Sequence, residues 1–299
     1  MSDADKRQAW ADFWINEQRP DSRGCLAEAG DDLAKIPAKA WEDFAGSLPR
    51  AASVLDLGTG DGAVLKRLRA RRPDLRLIGV DSAPRLPPPP SGIRLNSCVA
   101  IESLPYPDAG FDAVTSQFGY EYGRTAEAAA EVARVLNAAG RFLFIVHHRA
   151  GLVVAHNEER AAVLRWAAID SGLLAKARSL SLARRAIPLA TPTSFREAIA
   201  EAARRFPGQP VAAEVAQAIL ESLDQGLGPN ASLAYLVELE RKAAAELTRL
   251  DALAAAARDE AGAQCLVSEL RHAGLDARNP EPLVIGQGAP FAWRLAGRR

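Results

Sequence analysis

The sequence predicts an α/β fold built on a parallel sheet that is covered by helices on both faces. In the stretch from Ser53 to Gly62, an apolar run ends in alternating glycines, Gly58, Gly60 and Gly62. Apolar runs without polar alternation are typical of strands that are buried on both faces. Helical patterns also alternate with further short apolar runs, at 75–80, 93–98, 112–116 and 141–148. This alternation indicates an open parallel sheet.

The composition is that of an ordinary water-soluble protein. Lys and Arg together number 37, as do Asp and Glu, and 48% of the 299 residues are hydrophobic. Balanced charge favours neither nucleic acid nor an anionic membrane as a partner. The cysteines at 25, 98 and 265 are too far apart for a C-x-x-C motif, and no signal peptide or spanning segment is recognisable. We therefore expect a cytoplasmic protein without disulfides, a metal site, a nucleic-acid partner or a membrane association.

The glycine-rich turn after the first strand is a ligand cradle. Glycine suits turn positions with positive φ and lets a ligand approach the backbone closely. Such turns serve dinucleotides and S-adenosylmethionine alike, but the spacing here is G-x-G-x-G, and Asp56 and Asp61 would repel a pyrophosphate. A cofactor that carries a positive charge is favoured. Asp56 lies within the strand, where a buried carboxylate needs a donor.

The second strand, 75–80, ends at Asp81, an acidic residue in position to accept both hydroxyls of a ribose. A helix is not expected after it, because Pro84 and the run from Pro87 to Pro90 exclude a helix interior. An extended connection should lead to the third strand at 93–98.

Three segments resemble the class I S-adenosylmethionine-dependent methyltransferases. VLDLGTGDG, from Val54, is similar to the first motif of that family, and LPYPDAGFDAV, from Leu104, is similar to its L-P-F-x-D-x-S-F-D-x-V block. A helix from about Thr125 and the strand at 141–148 match its E-x-x-R-V-L-x-x-G-G pattern, with Ala139 as a variation. The resemblance, closest to small-molecule methyltransferases of the quinone-biosynthesis type, implies a Rossmann-like sheet of seven strands with a helical insertion before the last two. It also implies S-adenosyl-L-methionine as cofactor.

The resemblance implies a set of cofactor contacts. They are Asp56, Gly58, Thr59, Gly60, Asp81, Ser82, Ala100, Ile101, Glu102 and Gln117. Similar enzymes often carry an aspartate for the adenine where this chain has Ala100, so the backbone near Ile101 or the Glu102 side chain must serve instead. Gln117 should face the sulfonium region.

Residues 1–52 form a predicted helical cap. Trp10, Phe13, Trp14, Trp41 and Phe44 recur at roughly helical spacing. They could be an amphipathic segment that only packs on the core. In similar methyltransferases this part often closes over the ligand, which would make Trp14 and the turn at 24–26 pocket walls.

The segment 151–257 is rich in Ala, Leu, Arg and Glu and is predicted to be helical throughout. It divides the cofactor-binding core into 53–150 and 258–299, with strands near 275–285 and 290–295. It could be a lid that shapes the substrate pocket, or a bundle that provides stability or a homodimer interface.

Three of the four histidines fall within ten residues that begin at the end of the fifth strand. They are His147, His148 and His156. Neighbouring strand residues point to opposite faces, so only one of the first two can face the pocket directly. A neutral imidazole can take a proton from an attacking hydroxyl or amine. His148 and His156 are favoured as the base, with His147 and Tyr120 as further candidates. Core histidines without a function, or a metal site, are alternatives.

The predicted function is methyl transfer from S-adenosylmethionine to an oxygen or nitrogen, less readily a carbon, of a small molecule by in-line displacement. One alternative is a protein that binds the cofactor without transfer and meets a partner through its helices. Another is a nicotinamide-dependent oxidoreductase, which the glycine spacing and the absence of a Y-x-x-x-K motif disfavour.

Overall fold

The computed structural model describes residues 3–16, 31–224, 227–286 and 288–299. The chain forms two compact units, one made of residues 1–155 and 252–299 and the other of residues 156–251. The predicted insertion, 151–257, begins and ends a few residues outside the second unit. The turn at 24–26, predicted as a pocket wall, lies outside the described residues.

The N-terminal half alternates helices and strands: α1 (Asp3–Asn16), α2 (Asp31–Ser47), β1 (Ser53–Leu57), α3 (Ala63–Arg71), β2 (Arg76–Val80), β3 (Ile93–Asn96), β4 (Phe111–Gln117), α4 (Thr125–Val135) and β5 (Leu136–His147). Helices follow: α5 (Leu152–Arg165), α6 (Leu173–Ala183), α7 (Ser194–Arg205), α8 (Val211–Asp224) and α9 (Pro229–Ala256). The chain ends with α10 (Glu260–His272), β6 (Asp276–Ala277), β7 (Glu281–Ile285) and β8 (Ala289–Arg298).

The first unit is built on one mixed sheet in which the strands follow the order β3-β2-β1-β4-β5-β8-β6, and β7 also pairs with β8. The strands β1 to β5 are parallel, and β8 runs antiparallel to β5. The predicted α/β fold with a mostly parallel sheet is confirmed. Since the carboxyl ends of parallel strands meet at one edge, the ends of β1, β2, β4 and β5 define where a ligand can bind.

The described residues contain eight strands, not seven, which corrects the predicted strand count. The strand expected at 275–285 is divided into β6 and β7 by residues 278–280. Pro280 has no backbone N–H to donate to a ladder, so a continuous strand is disfavoured there. Both pieces pair with β8, β6 at Gly297 and Arg298 and β7 along 289–294.

Two apolar layers cover the sheet. Leu55 and Leu57 of β1 lie in a buried cluster with residues of α4 and α10, whereas Val54 lies in a second cluster with residues of α2 and α3. The alternation along β1 therefore separates the two faces. Between Asp81 and Gly92 the chain has no helix, as the prolines predicted.

The second unit has an apolar core of its own. Residues of α5 through α9 form one buried cluster between Ala161 and Leu250. That this helical unit acts as a lid or a dimer interface remains a prediction.

Candidate functional site

The glycine turn between β1 and α3 has the backbone that its sequence predicts. Gly58, Gly60 and Gly62 have φ values of 61°, 52° and 78°, in the left-handed region that favours glycine. The Thr59 amide donates to Val80 O at 3.0 Å, which joins the turn to the end of β2. The turn is a backbone cradle at the carboxyl edge of the sheet.

Asp56 supports this cradle from beneath. Its side chain is 1% exposed and accepts hydrogen bonds from the hydroxyls of Thr59 and Thr115, both at 2.7 Å. Burial raises the pKa of Asp56 to about 7, and the two hydroxyl donors oppose that rise. Asp56 therefore supports Thr59 from within the protein, and its contact with a cofactor stays a prediction.

Asp81 stands at the end of β2 beside the cradle. Its Oδ2 accepts from the Gly60 amide and its Oδ1 from the Ala83 amide, each at 2.9 Å. Burial raises the pKa of this carboxyl, and the backbone donors counteract the shift. Each carboxylate oxygen has more than one acceptor site, so Asp81 can still accept from a ligand hydroxyl. The structure thus brings Asp81 and Gly60 together, while Ser82 is exposed.

The residues predicted to hold the adenine follow β3. Ala100 is exposed, whereas Ile101 is buried in the apolar cluster of α4 and α10. Glu102 Oε1 accepts from the Arg124 amide at 2.8 Å, so this carboxylate holds the turn before α4. The Val99 amide donates to Asp81 O at 2.9 Å and keeps this segment beside β2.

The loop after β4 lies directly against the cradle. A Cβ atom on Gly119 would stand 2.9 Å from the Cα of Gly58, so only glycine permits this approach. Gln117 Oε1 accepts from the indole N–H of Trp41 at 2.7 Å. The Gln117 amide oxygen is thus held by α2, and its orientation toward the sulfonium region stays a prediction.

A buried carboxylate–imidazole pair lies at the ends of β4 and β5. His147 Nδ1 lies 2.7 Å from Glu121 Oε1, which also accepts from the His147 amide at 2.9 Å. Neither His147 Nε2 nor Glu121 Oε2 has a hydrogen-bond partner among the described residues, although both atoms are buried. Unpartnered buried polar atoms in a native structure call for an explanation.

Two aromatic rings and one arginine fix this pair. The Phe118 ring stacks on the His147 ring, with centroids 4.1 Å apart, and Tyr122 meets it edge-on at 5.9 Å. The Arg258 amide donates to His147 O at 2.9 Å, and its guanidinium donates to Glu121 O at 3.2 Å. The contact with Glu121 engages Nδ1 and leaves Nε2 as the ring nitrogen without a partner among the described residues.

The other catalytic candidates are placed differently. Tyr120 is buried, stacks on Phe144 and donates its hydroxyl to Thr125 O at 2.9 Å, while burial raises its pKa. Its hydroxyl is engaged by the backbone, and its catalytic role stays a prediction. His148 is half-buried, stacks on Trp293 and accepts from the Ala150 amide at 3.1 Å, while burial lowers its pKa. His156 belongs to the second unit.

The sequence analysis placed His147 behind the other two histidines and did not pair it with Glu121. The missed signal is that Glu121 is a lone carboxylate in the aromatic stretch FGYEY, four residues after β4. Because β4 and β5 are parallel neighbours, their ends meet, and this makes a Glu121–His147 pair predictable. The contribution of Arg258, more than 100 residues away, has no comparable local signal.

Helix α1 adds aromatic side chains to the same edge. Trp10 stacks on Trp14 with centroids 5.9 Å apart and meets Tyr122 edge-on at 5.4 Å. The Trp14 ring lies against Gly60. The predicted cap therefore touches both the cradle and the loop that carries Glu121.

The described ranges contain no cluster of three or more His, Cys, Asp or Glu side chains with the arrangement of a metal site. No helix within the same ranges is long and apolar enough to cross a bilayer.

The part of the chain that contains the cradle is similar to known methyltransferases. Residues 55–144 match the methyltransferase domain family. The chain is 34% identical over 151 residues to a demethylmenaquinone methyltransferase of Deinococcus radiodurans, an alignment that covers 47% of this chain and 61% of the relative. It is 39% identical over 64 residues to a tRNA1(Val) (adenine(37)-N6)-methyltransferase of Porphyromonas gingivalis, which covers 21% of this chain and 24% of that protein. The chain thus spans less than two thirds of either relative.

Among solved structures, the YcgJ protein from Bacillus subtilis aligns with 25% sequence identity and a TM-score of 0.32. That alignment covers 44% of this chain and 58% of the other.

Proposed function

Because residues 55–144 form a class I methyltransferase domain whose cofactor is S-adenosyl-L-methionine, we propose that the protein transfers a methyl group to an oxygen or nitrogen of a small molecule. The observation that carries the proposal is the buried Glu121–His147 pair at the ends of β4 and β5, beside a glycine cradle at the end of β1. The residues in place fit the cofactor, since the glycine turn has the left-handed backbone of a ligand cradle and Asp81 offers carboxylate acceptors beside it.

Bound in the cradle, the cofactor would supply an electrophilic methyl group on a sulfonium. The protein's part is to hold the acceptor in line, exclude water and take the acceptor's proton. His147 Nε2 is the atom proposed to take that proton. The imidazolium so formed would be stabilised by Glu121, whose Oε1 lies 2.7 Å from Nδ1. The same contact sets the tautomer that makes Nε2 basic.

A small molecule is the proposed acceptor because Lys and Arg balance Asp and Glu at 37 each, which provides no general attraction for a polyanion. The two relatives carry names that indicate different acceptors, a demethylated menaquinone and a tRNA adenine. Methyl transfer is what they share. The acceptor class is therefore tested directly, by incubating the protein with radiolabelled S-adenosylmethionine and either a small-molecule extract or bulk tRNA.

Label in the low-mass fraction is the expected result. Label in tRNA would overturn the acceptor class, and no transfer to either would favour a protein that binds the cofactor without catalysis.

The proposed base is tested by His147→Ala. Since general base catalysis contributes about 10²–10⁴-fold, turnover should fall by that factor. The affinity for S-adenosylhomocysteine should stay nearly unchanged, because the imidazole acts on the acceptor and not on the cofactor. His148→Ala is the matched control, since this neighbouring ring stacks on Trp293 and should leave turnover within a few-fold of wild type. Equal turnover of His147→Ala and wild type would show that alignment alone drives the reaction.

A further inference from the structure

The aromatic face of α1 covers the part of the cradle that a ligand has to approach. Trp10, Phe13 and Trp14 are all half-buried, and their rings form one cluster with Tyr122 of the loop after β4. Phe13 meets Trp14 edge-on, with centroids 4.9 Å apart. We call these four side chains the aromatic cluster. It anchors α1 across the carboxyl edge of the sheet.

The contact with the cradle is made by Trp14. A Cβ atom on Gly60 would lie 2.6 Å from Trp14 Cε2, well inside contact distance, so the indole already occupies the space that the missing side chain leaves open. Gly60 has φ of 52°, and its amide donates to Asp81 Oδ2 at 2.9 Å. The face of Gly60 that glycine keeps open for a ligand is thus filled by the protein itself.

We infer that α1 is an intramolecular plug: Trp14 competes with the cofactor for Gly60 and has to leave before the cofactor binds. The inference rests on the proposed function, because it assumes that Gly60 holds S-adenosylmethionine. It differs from a closing cap, in which Trp14 would stack on the bound cofactor and strengthen its binding. The two arrangements predict opposite signs for the same substitution.

The expected magnitude follows from population shift. When only a fraction of molecules is open, the apparent dissociation constant equals the intrinsic constant divided by that fraction. If about one molecule in ten is open, removal of the plug tightens binding about tenfold. In the wild-type protein, binding of the ligand should release α1 from its contact with Gly60.

The first test is calorimetry with S-adenosylhomocysteine on wild type, Trp14→Ala and Ile15→Ala. Ile15 is the next residue on the same helix and is 41% exposed, so Ile15→Ala controls for general effects on α1. Trp14→Ala should bind about tenfold more tightly than wild type, and Ile15→Ala should match wild type. Weaker or unchanged binding by Trp14→Ala overturns the plug. If neither wild type nor Trp14→Ala binds the ligand, the proposed function fails instead.

The second test uses the wild-type chain, so it does not depend on how the variant folds. Amide hydrogen exchange is measured over residues 3–16 with and without saturating S-adenosylhomocysteine. Faster exchange in the bound state is expected, because the plug gives up its contact with Gly60. Slower exchange would show that α1 closes over the ligand, and unchanged exchange would show that it need not move. Either of these results overturns the inference.

Discussion

At the scale of single residues, two buried aspartates govern the cradle in different ways. Asp56 accepts hydrogen bonds from two side-chain hydroxyls and lies beneath the turn. Asp81 accepts hydrogen bonds from two backbone amides and lies beside it. A buried carboxylate is costly unless it is well hydrogen-bonded or protonated. Asp56 therefore links the stability of the cradle to pH.

Asp56→Asn should flatten the pH dependence of stability. Burial raises the pKa of Asp56 from 3.8 to about 7, so the folded protein keeps a proton that the unfolded chain loses above about pH 4. The stabilisation that this proton provides is complete below the unfolded pKa. It declines as the pH rises toward about 7, by up to about 1.4 kcal/mol per pH unit.

Asparagine has nearly the same shape but does not titrate in this range. Urea unfolding at pH 5, 6, 7 and 8 would compare the free energies of unfolding of wild type and Asp56→Asn. The difference between them should shift in favour of the variant as the pH rises to 7. Parallel pH profiles would mean that Asp56 does not titrate in this window.

Single residues of the site differ in how well the sequence predicts them. The glycine positions are predictable because their spacing along one turn fixes their geometry, and Asp81 is predictable because it directly follows the neighbouring strand β2. The catalytic preference for His148 over His147 depended on which face of β5 points toward the site. Sequence alternation separates the faces without saying which is which, and only the partner loop with Glu121 decides it.

At the scale of elements, the cradle and the loop after β4 form one rigid junction. Gly58 and Gly119 contact each other through their backbones, and Ser116 Oγ donates to Leu57 O at 2.8 Å and accepts from the Tyr120 amide at 2.9 Å. Phe118, between these residues, has a φ of 56°, which is uncommon for a bulky residue. This backbone places the Phe118 ring on His147.

Gly119→Ala should separate the two loops. A Cβ on Gly119 would stand 2.9 Å from Gly58 Cα, and this atom belongs to the backbone and cannot easily move away. Overpacking of this kind costs about 1–3 kcal/mol. Thermal unfolding should report that loss, and calorimetry should report weaker binding of S-adenosylhomocysteine.

Gly46→Ala is the matched control. Gly46 lies in α2, with no atom within 4 Å of an added Cβ among the described residues, so alanine there should be neutral or slightly stabilising. If both variants behave alike, the contact between Gly58 and Gly119 does not constrain the site.

The division of the strand predicted at 275–285 into β6 and β7 shows the limit of sequence reasoning for elements. Residues 275–285 have enough apolar character for one strand, but pairing with two different parts of β8 depends on a partner that is distant in sequence. The polyproline connection before β3 was predictable, because proline restricts its own backbone wherever the chain folds.

At the scale of the whole molecule, residues 55–144 match the methyltransferase domain family, and residues 156–251 form a second unit of helices. The periodic sequence of that unit predicts helices and a core, and the structure has both. What the unit binds could not be predicted, because amphipathic periodicity specifies a buried face and leaves the chemistry of a partner undefined. The experiment with labelled S-adenosylmethionine is therefore needed to identify the proposed methyl acceptor.

We propose that the cradle binds S-adenosylmethionine with Asp81 as an acceptor. Calorimetric titration with S-adenosylhomocysteine tests it most directly, on wild type, Asp81→Ala and Asp74→Ala. Asp74 precedes β2 at the opposite edge of the sheet and is bound to Arg72, so it serves as the control.

Saturable binding is predicted for wild type and for Asp74→Ala. Asp81→Ala should lose roughly 1.5–3 kcal/mol for each hydrogen bond to a charged acceptor that is left unmade. No binding of S-adenosylhomocysteine together with saturable binding of NADH, or equal affinities for wild type and Asp81→Ala, would contradict the account.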